Sequence, residues 1–195
     1  LAAVFPSARL LQRFGMTELG ALPVRPDPED PRALFLEGGH AWTIDDGELW
    51  IRTPTRMLGT LENGPLDPAD AWHRTGDLAE LTPRGSVRIL GRREAVINVG
   101  GAKVIPETVE ELILAQPMVR DAAVAGIPNP LTGEAVLARV VFDGPPDPMG
   151  LLRALRIAAR HKGLSLAHIP TRVEAVESLE KTPIGKRLRQ RRGKS

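Results

Sequence analysis

A change of pattern at Gly91 narrows the possible folds more than any other feature of the chain. Downstream of it, "PETVEELILAQP" (residues 106–117) opens on Pro, carries acidic residues in its first turn, sets Val109, Leu112 and Ile113 on one face and stops at Pro117. That spacing predicts an amphipathic helix. "AAVAGI" and "AVLARVVF" follow as near-continuous apolar runs parted by "PNPLTG", which predicts two strands of one sheet. A second helix is predicted over "PMGLLRALRIAARHKG". Leu151, Leu152, Leu155, Ala158 and Ala159 form its apolar stripe, Arg153, Arg156 and Arg160 lie off it, and Gly163 is placed as the C-terminal cap. Helices packed against a sheet make this half a small α+β domain.

Upstream the chain reads as β-rich. "GELWIRT" and "GSVRIL" are short β-branched and apolar runs bounded by the turn chemistry of "DDG" and "PRG". The prolines of "PVRPDPEDP" predict loops between strands. The expected division is a β-rich segment over residues 1–91 and an α+β domain over 92–195. With 195 residues, 42% of them hydrophobic, there is enough for one ample core or two modest ones.

Several function classes recede on composition. No stretch approaches the roughly 20 apolar residues of a membrane helix. "LAAVFPSARLL" lacks the order of a signal peptide, so a cytoplasmic location is expected. The chain has no Cys, and His40, His73, His161 and His168 show no ligand spacing, which argues against a metal held by sulfur or imidazole. The net charge is only +2, yet six of the last ten residues are Lys or Arg. That tail has no aromatic residue and the chain has no Tyr, so nucleic acid is disfavoured as a partner. A start at Leu1 leads us to expect a fragment of a longer polypeptide.

Four stretches carry residues suited to chemistry. In "RFGMTELG" a Thr can bond a phosphate oxygen, a Glu can hold Mg²⁺ and an aromatic ring can stack on a base, although the same residues make an ordinary strand exit. In "WHRTGDLAEL" Asp77, expected in a turn entering a strand, can accept two ribose hydroxyls or simply serve the turn. "GRREAVINVGGAKVIPETVE" places an Arg after a Gly and then a double glycine, open to a ligand approaching the backbone or to a plain tight turn. In "KTPIGKRLRQRR" Lys186 follows Pro and Gly at a turn, where its ammonium can reach an anion or stay solvated in a basic tail.

Taken in order, these stretches resemble the C-terminal part of the adenylate-forming superfamily: acyl-CoA synthetases, carrier-protein adenylation domains and luciferases. The Y/F-G-x-T-E motif stands as "FGMTE", G-E-L as "GELWIR", T-G-D as "RTGD", the G-R-x-D hinge as "GRRE", P-x-E-V-E as "GGAKVIPETVE" and K-T-x-x-G-K as "KTPIGK". The resemblance implies that residues 1–91 are the end of a large AMP-binding domain and 92–195 a mobile lid, with a hinge near 92–94. It implies that Phe14 and Gly15 lie beside adenine, Thr17 bonds phosphate and Glu18 holds Mg²⁺. Asp77 and Arg92 would contact ribose, and Glu94 would mark the hinge. Gly100 and Gly101 would line a pantetheine tunnel, and Lys186 would be the catalytic lysine of adenylation.

The implied reaction joins a carboxylic acid to AMP from Mg-ATP and passes the acyl group to CoA. "INVGGAKVIP" is closer to stand-alone CoA ligases than to peptide synthetases. The alternatives are loading of a carrier protein's phosphopantetheine and a non-catalytic nucleotide-binding or regulatory role. This sequence departs from the pattern at Glu94, in place of Asp, and at Thr108, in place of Glu. It also lacks the family's phosphate loop and acyl pocket, so these 195 residues alone are expected to make no acyl-AMP unless an N-terminal domain is supplied in the same chain or in trans.

Overall fold

The computed structural model describes residues 13–61 and 67–180, and the chain divides into two compact units at Leu90/Gly91. The first unit holds β1 (Arg13–Met16), β2 (Gly20–Asp27), β3 (Asp30–Leu36), β4 (Ala41–Asp45), β5 (Glu48–Arg52), the short pair β6 (Gly59–Thr60) and β7 (Asp67–Pro68), β8 (His73–Leu81) and most of β9 (Val87–Arg92). Seven of them form one sheet in the order β1-β2-β3-β9-β8-β5-β4. Leu19, Leu22, Leu49, Ile51, Ala79 and Val87 are buried together, with Phe14, Met16, Leu36, Trp42, Ile44 and Ile89 packed against them. In β5, Leu49 and Ile51 alternate with the half-buried Trp50, as a sheet with one covered face requires.

"PVRPDPEDP", expected as loop, is mostly strand: it spans the end of β2 and the start of β3. The prolines are accommodated because the β2–β3 register shifts at Pro26/Asp27, where a missing ladder donor does little harm. The buried Asp27 carboxylate anchors this hairpin. It accepts from the Glu29 N–H (3.0 Å) and the Ser86 hydroxyl (2.7 Å), with Arg84 Nε 3.4 Å away. These donors, Ser86 foremost, hold the Asp27 carboxyl below the usual aspartate range.

In the second unit β10 (Ile97–Val99) and β11 (Ala102–Val104) form a hairpin, followed by α1 (Pro106–Leu114), β12 (Val119–Asn129), β13 (Gly133–Phe142), α2 (Pro148–His161) and β14 (Arg172–Ala175). Strand β13 runs antiparallel to β12 and β10 and parallel to β14. The α+β class read from sequence is the one observed. Val109, Leu112 and Ile113 of α1 and Leu151, Leu155 and Ala159 of α2 are buried in one core with Ile97, Val124, Val136 and Val140, while Arg153, Arg156 and Arg160 face solvent. Gly163 closes α2 at φ +68°, and the Leu164 N–H returns to the Ala159 carbonyl at 2.9 Å.

Strand β12 lies at the sheet's edge, so some of its N–H groups have no strand beside them. Glu110 of α1, itself buried, covers one: its Oε1 accepts from the Val124 N–H at 3.0 Å. Among the described residues no helix is long and apolar enough to cross a membrane.

Candidate active site

The Thr75-Gly76-Asp77 segment lies inside β8, in place of the turn expected before a strand, and forms a bulge there. Glu48 pairs with Leu78 and Trp50 with Arg74, so Leu49 alone faces Thr75, Gly76 and Asp77. Gly76 sits at φ +72°, a left-handed conformation that explains a glycine at this position. The Thr75 hydroxyl donates to the Leu49 carbonyl (2.8 Å) and accepts from the Asp77 N–H (3.1 Å). Glu48, only 2% exposed, accepts from the Gly76 N–H at Oε1 (3.1 Å) and from Arg74 Nη2 at Oε2 (2.7 Å). The hydrogen bond to Glu48, followed by its charge, raises the pKa of the Arg74 guanidinium, which also lies over the Trp50 ring. Asp77 is buried at the end of this clamp.

The "FGMTE" stretch is β1 and the turn after it. Phe14 is half-buried against the apolar cluster of the first unit. Gly15 is dictated by close approach: a Cβ there would lie 2.9 Å from Ala21 Cα and nearer still to the Gly20 carbonyl oxygen. Thr17 is exposed and Glu18 half-buried. The loop after β5 grips this turn: the Met57 N–H donates to the Glu18 carbonyl at 2.7 Å and the Thr55 hydroxyl to the Leu19 carbonyl at 2.8 Å. Leu19 is fully buried in the core of the first unit. Strand β5 and its following loop therefore hold both the Thr17-Glu18 turn and the Asp77 bulge, although β1 and β8 are not neighbours in the sheet.

In the second unit, Arg92 and Glu94 line a cleft of about 350 Å³ with Ala95, Pro106, Val124, Ala125 and Gly126. A Cβ at Gly91 beside them would come within 2.8 Å of Ile105 Cγ2 and press on the Glu107 carboxyl group, so those side chains would have to shift for any larger residue. Gly100 (φ +58°) and Gly101 (φ +89°) form the two-residue tip of the β10–β11 hairpin, where both residues must be left-handed. This tip is tied to the β12–β13 turn. The Gly100 N–H donates to the Thr132 carbonyl (2.9 Å), the Gly101 N–H to Asn98 Oδ1 (2.9 Å), and the Asn98 N–H to Glu134 Oε2 (2.8 Å).

Lys186 lies outside the described residues. Sequence reading missed the roles of Glu48, Thr55, Asn98 and Glu134, which support the motif stretches through bonds that reach up to 36 residues along the chain. The G-E-L spelling was the available signal for Glu48, since a charged residue heading an apolar strand calls for a partner.

Residues 108–186 match the family model of the AMP-binding enzyme C-terminal domain. The 2,3-dihydroxybenzoate-AMP ligase of Bacillus subtilis (strain 168) is 37% identical over 73% of this chain and 26% of its own length. The chain belongs to the adenylate-forming superfamily. Within that superfamily, a long-chain-fatty-acid–CoA ligase of Yersinia pestis is 36% identical over 92% of this chain and 34% of its own length. The crystal structure of ATP-bound MatB from Rhodopseudomonas palustris superposes with a TM-score of 0.76 at 28% identity, covering 91% of this chain and 39% of that one. Against these superfamily members the chain spans between about a quarter and two fifths of the partner's length, in their C-terminal part.

Proposed function

We propose that the polypeptide carrying these residues activates a carboxylic acid as its acyl-adenylate with ATP and then transfers the acyl group to a thiol, with CoA as acceptor. The observation that carries this reading is the Gly76 bulge, which fixes a buried carboxylate, Asp77, within a chain of the adenylate-forming superfamily. A carboxylate so held suits two adjacent hydroxyls of a ribose. A decayed, purely regulatory copy has no physical reason to keep it.

In the first half-reaction a carboxylate oxygen bonds to the α-phosphorus of ATP, the bond from that phosphorus to the bridging oxygen breaks, and pyrophosphate departs with the electron pair. Asp77 and Arg92 hold the ribose, Phe14 and Gly15 border the adenine, and the Thr17 hydroxyl donates to a phosphate oxygen. Glu18 would hold Mg²⁺ arriving on the phosphates. A single carboxylate suits an ion that keeps water and phosphate as its other ligands, and among the described residues no group of three or more metal-ligating side chains forms a protein cage. When bound, the ion would neutralise phosphate charge. The Lys186 ammonium stabilises charge developing on the α-phosphate and the attacking carboxylate.

In the second half-reaction the thiol gives its proton to solvent, its sulfur bonds to the acyl carbonyl carbon, the bond from that carbon to the phosphate oxygen breaks, and AMP leaves with the electron pair. Gly100 and Gly101, without side chains at a hairpin tip, let a pantetheine arm run close to the backbone. Glu94 is the hinge at which the lid, residues 92–195, exchanges between half-reactions. The enzyme is proposed to act in the cytoplasm, where ATP and CoA are both available.

The relatives vary, from a 2,3-dihydroxybenzoate-AMP ligase to a long-chain-fatty-acid–CoA ligase, and the second acceptor we consider is the phosphopantetheine of a carrier protein. The test is carboxylate-dependent ATP–pyrophosphate exchange by the full polypeptide across aryl and fatty acids, followed by acyl transfer to CoA or to a phosphopantetheinylated carrier. Exchange with at least one acid is expected, and none with any acid would defeat the reading.

A further inference from the structure

The buried carboxylate of Glu48 stands outside every role assigned above, yet its strand neighbours grip the one segment on which the nucleotide reading turns. We propose that Glu48 is a positioning residue: it fixes the Gly76 bulge and through it the direction in which Asp77 presents its carboxylate. This rests on the reading of Asp77 as the ribose-binding acid.

Three features carry the assignment. Glu48 is 2% exposed, and a carboxylate so buried persists only where several donors compensate its lost hydration. Its two oxygens are divided between a backbone donor, the Gly76 N–H, and a side-chain donor, the Arg74 guanidinium. The next residue of the strand, Leu49, takes the Thr75 hydroxyl through its carbonyl. Consecutive residues of β5 therefore pin consecutive residues of the bulge, and the Thr75 hydroxyl in turn accepts from the Asp77 N–H. A left-handed glycine flanked by such anchors has no slack, so the backbone beneath Asp77 is set before any nucleotide arrives.

Glu48→Gln isolates this role. An amide nearly matches the carboxylate in volume but offers one acceptor oxygen, so its NH₂ must face either the Gly76 N–H or the Arg74 guanidinium, donor against donor. The bulge should loosen without a cavity. Glu48→Asp keeps the charge but shortens the reach by one methylene, and serves as the second variant should the amide fail to fold.

The assay is ATP–pyrophosphate exchange by the full polypeptide with ATP, 2′-deoxy-ATP and 3′-deoxy-ATP, alongside Asp77→Asn and the Glu48→Gln/Asp77→Asn double variant. In the wild type, loss of a ribose hydroxyl should lower kcat/KM by about 10- to 100-fold, the ordinary worth of a hydrogen bond to a charged group. In Glu48→Gln that discrimination should collapse to about 3-fold or less, with KM for ATP raised about tenfold and kcat little changed, because only uniform nucleotide binding is lost. The double variant should bind ATP no worse than Asp77→Asn, since the two residues act on one contact. A purely structural role would lower stability and leave ribose discrimination intact. Wild-type exchange with discrimination undiminished in both Glu48 variants would overturn the assignment and spare the activity. No exchange by the wild type with any acid would overturn the activity, and this assignment with it.

Discussion

The Glu110→Ala substitution tests how the second unit is held together. Glu110 is buried at the inner face of α1, and its Oε1 accepts from the Val124 N–H on the edge strand β12 at 3.0 Å. Val124 is fully buried, so water cannot replace that acceptor. Leaving a buried backbone donor unsatisfied costs about 1–3 kcal/mol, and the small cavity left by the side chain adds to that, so we expect a loss of about 2–3 kcal/mol. With urea m-values of about 1–3 kcal/mol/M, the denaturation midpoint of this unit's transition should fall by about 0.7–3 M, with m unchanged. Glu110→Gln retains a carbonyl acceptor and should lose well under half as much. The measurement is urea unfolding of the full chain followed by backbone circular dichroism, with amide hydrogen exchange at Val124 as a site-specific check. An alanine variant as stable as the glutamine variant, with Val124 still protected, would show that another group satisfies that N–H and would refute the reasoning.

Two other perturbations address charge. Lys186→Ala should lower pyrophosphate exchange by about 10²–10³-fold, the usual effect of removing one preorganised charge-stabilising group, while thioester formation from preformed acyl-AMP should change less than tenfold; equal losses in both steps would argue against a role confined to adenylation. Asp27 tests proton linkage. Its carboxyl is held below the ordinary aspartate value by the Ser86 hydroxyl and the Glu29 N–H, so its contribution to stability is complete above the unfolded pKa and disappears as pH falls through the lower folded one. Asp27→Asn should therefore flatten the acid limb of stability between about pH 5 and pH 2, measured by urea midpoints across that range, and an unchanged limb would assign it to other carboxylates.

The sequence by itself determined what is local. The spacing of Val109, Leu112 and Ile113 required a helix with one apolar face, and the Leu151, Leu155, Ala159 stripe required another, because 3.6-residue periodicity can be read without knowing what covers it. The double glycine at 100–101 announced a turn, and the ordered motifs announced the superfamily. The tertiary structure decided which side chains serve those motifs. Glu48 lies 28 residues from Gly76, Thr55 lies 36 from Leu19, and Glu134 lies 36 from Asn98. The same holds for "PVRPDPEDP": proline chemistry argued for loop, and only the register shift between β2 and β3 made strand admissible there. Each of these bonds depends on strand register and on which strands are neighbours. Those are fixed by the burial of whole faces at once, a property that no short window of sequence contains.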